Sequence, residues 1–222
     1  MYLAGRQNGN ADIIIMEDHK NMNVKKELEL KLGIVDGICL NNIEIDPLTV
    51  KAIMINEVVP SDPSQDFYGA ADAAYLNTTI PLFQMAGAEV TSVQDILEKG
   101  IYITNAVKTP KSDYTIDRGS IENSLPCLEA ELALFPKVKV IMLMGDVAKK
   151  AFNMITKKAS GKNAVPAVST YKLRNSEICY EGIRIMPSYI MTGGNILIEK
   201  SKVTMAAEDI AAMLELIRQP LS

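Results

Sequence analysis

Short apolar runs alternate with helix-period segments along this 222-residue chain, and two of the runs are apolar on both faces. A strand without a polar face has to be covered from both sides, which points to a mainly parallel sheet between two layers of helices. The pattern predicts strands over Ala52–Val59, Ile101–Val107 and Val138–Met144, with a short fourth over Ile183–Met186. Helical periodicity falls at Val24–Leu32, Tyr75–Ala86, Val93–Lys99, Ser120–Leu134, from Gly145 to about Lys157, and Ala206–Ile217. Ser120 and Asn123 are the cap candidates for the fourth of these. The expected fold is a three-layer α/β/α sandwich around a central, mainly parallel four-stranded sheet. Residues 1–50 read as an N-terminal segment with a helix packed on the domain, and 51–222 as the domain itself.

Composition narrows the class. Apolar residues make up 48% of the chain and charged ones 23%, enough to build a sizeable core. A net charge of −4 repels phosphate as a whole, so nucleic acid would need a local basic patch. Three scattered cysteines, Cys39, Cys127 and Cys179, form no CxxC pair, which disfavours a disulfide framework or a zinc site and favours a reducing, cytoplasmic setting. No apolar run reaches membrane-spanning length. A monomer without cofactor, metal or membrane partner is expected. The one histidine, His19, lies in a polar stretch and reads as a surface residue.

Open parallel sheets bind ligands at the carboxyl ends of their strands, so the residues there are the ones to weigh. Asn56, Glu57, Asp62, Asp66, Phe67, Tyr68 and Gly69 follow the first strand; Thr104, Asn105, Lys108 and Thr109 close the second. Gly145 and Asp146 end the third, and Pro187, Ser188 and Tyr189 end the fourth, with Gly193, Gly194 and Asn195 beyond. An amide can read a nucleobase edge with a donor and an acceptor. An aromatic ring can stack on the base, and a carboxylate can position water or stabilise a cationic sugar.

These segments carry a family resemblance. Ile103–Lys108 is similar to the "TNVVK" segment of the uracil-DNA glycosylase superfamily, in its bacterial and archaeal iron–sulfur branch. Ser124–Leu132 resembles "CRPYLEAEL", and Pro136–Gly145 resembles "PKVIVALG". Asn56-Glu57 resembles the "GE" of the first motif and Phe67-Tyr68-Gly69 the "PFVG" segment, while Met186-Pro187-Ser188 falls where the family has "HPS". The likeness spans roughly residues 50 to 218.

The resemblance implies a base-excision hydrolase that flips uracil, or a related deaminated base, out of DNA and cleaves its N-glycosidic bond. It puts catalytic work on Glu57 and Asn56 at the strand end, with Asp62 and Asp66 as alternative carboxylates. Base binding falls to Phe67 and Tyr68 as rings, Asn105 as the amide, and Met186. The loop from Pro187 to Asn195 would contact DNA through Ser188, Tyr189, Met191 and Gly193, with Tyr189 or Met191 as a wedge. Lys108 is also a DNA-binding candidate. So are Lys157 and Lys162, from a stretch between Lys149 and Arg174 that holds seven cations and no acid.

Three features depart from the family pattern. Met186 stands where the family has histidine, and a thioether has no proton to donate. Thr109 stands where a cluster cysteine would be, so no iron–sulfur cluster is expected. Pro60 lies three residues after Glu57 instead of two. A catalytically weak or inactive nucleobase-binding module is therefore the alternative reading, and an α/β domain acting on an unrelated small ligand is a third.

Overall fold

The computed structural model describes residues 21–33, 36–112, 115–194, 196 and 199–219. His19 and most of the N-terminal polar stretch lie outside them, as does Asn195. The central sheet has five strands: β3 (Ala52–Val58), β4 (Ile101–Val107), β5 (Val140–Met144), β6 (Ile178–Tyr180) and β7 (Ile183–Ser188). Their order is β4-β3-β5-β7-β6, all parallel except the β6–β7 pair. A small antiparallel pair, β1 (Met22–Asn23) and β2 (Glu44–Ile45), precedes it.

Side chains on successive strand positions go to opposite faces, and β3 divides accordingly. Ile53 and Ile55 join one core and Ala52 and Met54 the other. The first core receives Leu28 of α1 (Val24–Leu32), Leu128 of α4 (Arg118–Leu132), Phe152 of α5 (Asp146–Ser160) and Leu173 of α6 (Thr170–Leu173). The second receives Phe83 of α2 (Ala74–Met85), Ile96 of α3 (Val93–Glu98) and Ile210 of α7 (Lys200–Arg218). Each fully buried aliphatic of this kind contributes about 1.5–3 kcal/mol. The result is the three-layer α/β/α sandwich, with one strand more than the sequence pattern suggests.

The differences in detail have physical causes. β6 pairs with β7 through a two-residue turn in which Glu181 (φ 50°) and Gly182 (φ 80°) both take positive φ, the geometry that matches strand twist. α4 starts two residues before Ser120 because Asp117 caps it, its Oδ1 accepting the Ser120 N–H at 3.0 Å. β7 runs through Pro187 to Ser188, opposite Leu143 and Met144. α7 begins at Lys200, ahead of its apolar stripe. Among the described residues, no helix is long and apolar enough to cross a membrane.

Candidate active site

From β3 the chain first builds outward to β4, then crosses to place β5 on the other side. At such a switch point the connections diverge and leave a crevice beyond the strand ends. A cleft of about 1090 Å³ opens there. Asn56 and Glu57 of β3, Gly145 after β5 and Ser188 of β7 form its inner wall, with Tyr75 of α2 and Thr192 of the loop after β7.

Glu57 stands against the amino end of α5. Its Oε1 accepts the Val147 backbone N–H at 3.0 Å. Burial raises its pKa, while the N–H groups of Val147 and Asp146 pull the other way and the Asp146 carboxylate adds to the rise. The approach depends on Gly145. A β-carbon there would lie 2.4 Å from Glu57 Oε1 and 2.6 Å from Ile190 Cγ1, and its φ of 102° excludes most side chains.

A chain of hydrogen bonds crosses the cleft floor. Thr192 Oγ1 donates to Asn56 Oδ1 at 3.1 Å. Asn56 Nδ2 donates to Asn105 Oδ1 at 2.8 Å, and Asn105 Nδ2 donates to Asp66 Oδ2 at 2.6 Å. Burial raises the Asp66 pKa against the opposing pull of Asn105. Asn56 is 1% exposed, and its amide nitrogen is turned inward, so its oxygen lies on the Thr192 side. Tyr75 donates from its hydroxyl to the Val58 carbonyl at 2.9 Å, and burial pushes its pKa up to about 12.

Two buried ion pairs brace this floor. Lys108 Nζ donates to Glu131 Oε2 and to Thr104 Oγ1 beneath β4, and Tyr102 also donates to Glu131. On the other side, Ser188 Oγ donates to Asp209 Oδ2 at 2.6 Å, and Arg174 holds the same carboxylate with contacts from 2.8 Å. Burial raises the Asp209 pKa, opposed by Arg174 and Ser188.

Of the residues singled out from the sequence, Asn56, Glu57, Gly145, Asp146, Ser188, Tyr189, Gly193 and Gly194 line the cleft. Others lie elsewhere. Phe67 is buried beneath Tyr75, with ring centroids 5.3 Å apart. Tyr68 stacks on Tyr102 and accepts the Ile103 N–H, and Asn105 sits one strand behind Asn56. Glu57 and Ser188 therefore share the cleft wall, whereas Phe67 and Asn105 support it from behind.

Asp62 is exposed and caps the short 3₁₀ turn Pro63–Gln65 by accepting the Ser64 N–H at 3.0 Å. Met186 is buried in the α2–α7 core. In the loop after β7, Met191 is 0% exposed and Tyr189 half-buried, while Ile190 projects, 41% exposed. Lys108 is buried in its ion pair and offers nothing to a phosphate. Lys157 is exposed at the far end of α5, roughly 15 Å along the helix from Val147 at 1.5 Å per residue, with exposed Lys162 beyond. The basic stretch is also partly neutralised, since Lys149 pairs with Asp146, Lys158 with Glu129, and Arg174 with Asp209 and Glu208.

Sequence reasoning passed over Tyr75, Thr192, Lys111 and Lys202, and counted Lys149 only within the basic stretch; all five line the cleft. Thr192 lies inside a loop already under scrutiny, and Lys149 lies in the first turn of a helix that starts at a strand end. Both were within reach of the strand-end rule. No comparable signal marks Tyr75.

The residues present do not suit the iron–sulfur cluster of the branch resembled. Such a cluster takes four thiolates, and the chain has three cysteines: Cys39 half-buried, Cys127 buried and Cys179 exposed on β6. Among the described residues, no three His, Cys, Asp or Glu side chains gather in a metal-holding group.

A family model described as the uracil DNA glycosylase superfamily matches residues 53–194, which take in β3 from its second residue, all of β4 to β7 and most of the cleft wall. No curated protein sequence matches the chain.

Proposed function

Because this chain belongs to the uracil DNA glycosylase superfamily, we propose that it hydrolyses the N-glycosidic bond of uracil, or of a related deaminated base, in DNA. The observation that carries the reading is Glu57: a carboxylate of raised pKa facing the cleft at the switch point of the sheet. With a nucleotide flipped into the cleft, this carboxylate steadies the positive charge that grows on the sugar and takes a proton from the attacking water. The water oxygen bonds to the anomeric carbon as the bond to the base nitrogen breaks, and the base leaves with the electron pair.

The other parts follow from their positions. Asn56, held by Asn105, presents its amide oxygen to the base, with Thr192 and Tyr75 beside it. Ile190 is the exposed member of the loop and acts as the wedge. Lys111, Lys149 and Lys202 at the cleft are nearer the flipped nucleotide than Lys157 and Lys162 and take its phosphates, Lys149 and Lys202 by exchanging their pairs with Asp146 and Glu199. The three cysteines carry no disulfide, in keeping with DNA repair in the cytoplasm.

One observation favours a second reading, recognition without turnover. Met186 is buried in the core and cannot protonate or hydrogen-bond the departing base. Losing one preorganised donor to a developing anion costs on the order of 10²–10³ in rate. A gel assay of uracil-containing oligonucleotides after alkaline cleavage separates the two. Base release by the wild-type chain, lost in Glu57→Gln, supports the glycosylase. Retention of uracil together with salt-sensitive binding sinks the glycosylase in favour of the binding module.

A further inference from the structure

Among the described residues few large apolar side chains are exposed, and three of them meet at one place. Val168, Tyr171 and Ile190 are 45%, 68% and 41% exposed, and all three line the cleft. Tyr171 sits on the short helix α6, and Val168 precedes it. Ile190 comes from the loop after β7, a separate segment. The cleft wall is thus polar at Asn56, Glu57 and Thr192 and apolar where these three side chains reach solvent. At about 1090 Å³ the cleft lies just above the usual range for sites that enclose a drug-sized ligand, more room than one pyrimidine occupies.

Cations accompany this apolar edge. Lys149 Nζ donates to the Val168 carbonyl at 3.4 Å, which ties a positive charge to the segment that carries Tyr171. Lys111 and Lys202 line the same cleft, as do Glu57, Asp146 and Glu199; Lys149 pairs with Asp146 and Lys202 with Glu199, so these two lysines meet a phosphate by exchanging a carboxylate for it. Exposed aromatic and aliphatic side chains beside lysines make a surface on which bases stack while their phosphates are neutralised.

From these observations we infer that the Val168–Tyr171 edge is a stacking platform for an unpaired nucleotide adjoining the one in the cleft, which makes single-stranded nucleic acid the preferred partner. The inference rests on the glycosylase-family reading of the cleft and adds the strand form. Its physical basis is that a base in a duplex has both faces covered by its neighbours. Flipping one nucleotide uncovers a face of each flanking base, but in a duplex those bases stay paired inside the helix, whereas in a single strand the neighbouring base is free to turn onto a ring outside the inner wall.

The test is fluorescence anisotropy with a short labelled oligodeoxycytidine, presented alone and as a duplex, at low salt. The wild-type chain is expected to bind the single strand more tightly. Tyr171→Ala is expected to weaken single-strand binding by about 5- to 150-fold, the range of one base–aromatic stack. Tyr171→Trp retains the affinity and duplex binding does not move. Tyr171 is exposed, so its replacement leaves the core intact. Wild-type preference for the duplex, or single-strand affinity unchanged in Tyr171→Ala, overturns the inference. If uracil release is still seen in that case, the glycosylase reading stands. No binding of either strand form and no base release overturns both.

Discussion

Asn56 Nδ2 donates to Asn105 Oδ1 across the parallel β3–β4 pair, in which the two residues are direct register partners. The amide of the TN-x-x-K segment therefore acts on the cleft through its neighbour. Asp66 fixes Asn105, and Asn105 fixes which end of Asn56 faces Thr192. Asn105→Ala takes the short partner from the buried Asn56 amide nitrogen, leaving it a long contact to the Val58 carbonyl, and takes the partner from Asp66 Oδ2, while Asp66 Oδ1 keeps the Phe67 N–H. It is expected to lower stability by about 1–3 kcal/mol in urea denaturation. Asn56→Ala is expected to lose base release with a smaller stability change, and equal loss of folding in both variants would remove the distinction.

Glu57 has a raised pKa from burial. In its proposed role as the base it must be ionised, so kcat/KM is expected to fall as pH drops through a value above the usual glutamate range. Glu57→Gln is expected to reduce the rate by roughly 10²–10⁴ and to abolish that acid limb. The stability effect has the opposite sense. A raised folded-state pKa gives stability that is present below the unfolded pKa and lost as pH rises through the folded one. Glu57→Gln is therefore expected to raise the urea midpoint at neutral pH, with the gain disappearing below about pH 4. A neutral-pH midpoint below that of the wild type would contradict the burial argument.

Gly145→Ala places a methyl group against Glu57 and Ile190 in a backbone region costly for alanine. The expected loss is about 1–3 kcal/mol of stability, with base release falling further as Glu57 is pushed from the α5 terminus. Thermal unfolding and the uracil assay read the two effects separately.

Lys108 and Glu131 test the hidden brace. Glu131→Ala leaves a buried ammonium uncompensated, and a loss of about 3–5 kcal/mol is expected. The double replacement Lys108→Met with Glu131→Leu is expected to recover most of it, as measured by a double-mutant cycle in denaturant.

The sheet was legible because Ile101–Val107 and Val140–Met144 have no polar face to give to water, which leaves them only an interior position. β6 was not, since Cys179 and Tyr180 lie between charged residues and its turn, Glu181-Gly182, lacks the usual Asn-Gly or Asp-Gly signal. Glu57 was legible at the site because it ends the strand beside the switch point. Asn105 ends a strand too, but β4 lies at the sheet edge, one strand away from the crevice. Lys108 could not be read as buried, since lysines are almost always solvated and its partner lies on α4, 23 residues on. Met191 followed the ordinary preference of a thioether for the core, which left Ile190 as the projecting side chain.

The amino terminus of α5 is where a sheet of this kind commonly cradles a phosphate, and here Glu57 already occupies it as a built-in anion. On the proposed function, phosphodiesters are left to a few lysines, so few counterions would be released when a strand docks. Each contact contributes a slope of only about −0.7 in log affinity against log salt on a single strand. The grip on nucleic acid should therefore loosen gently as ionic strength rises, leaving the protein able to search at the salt of a living cell.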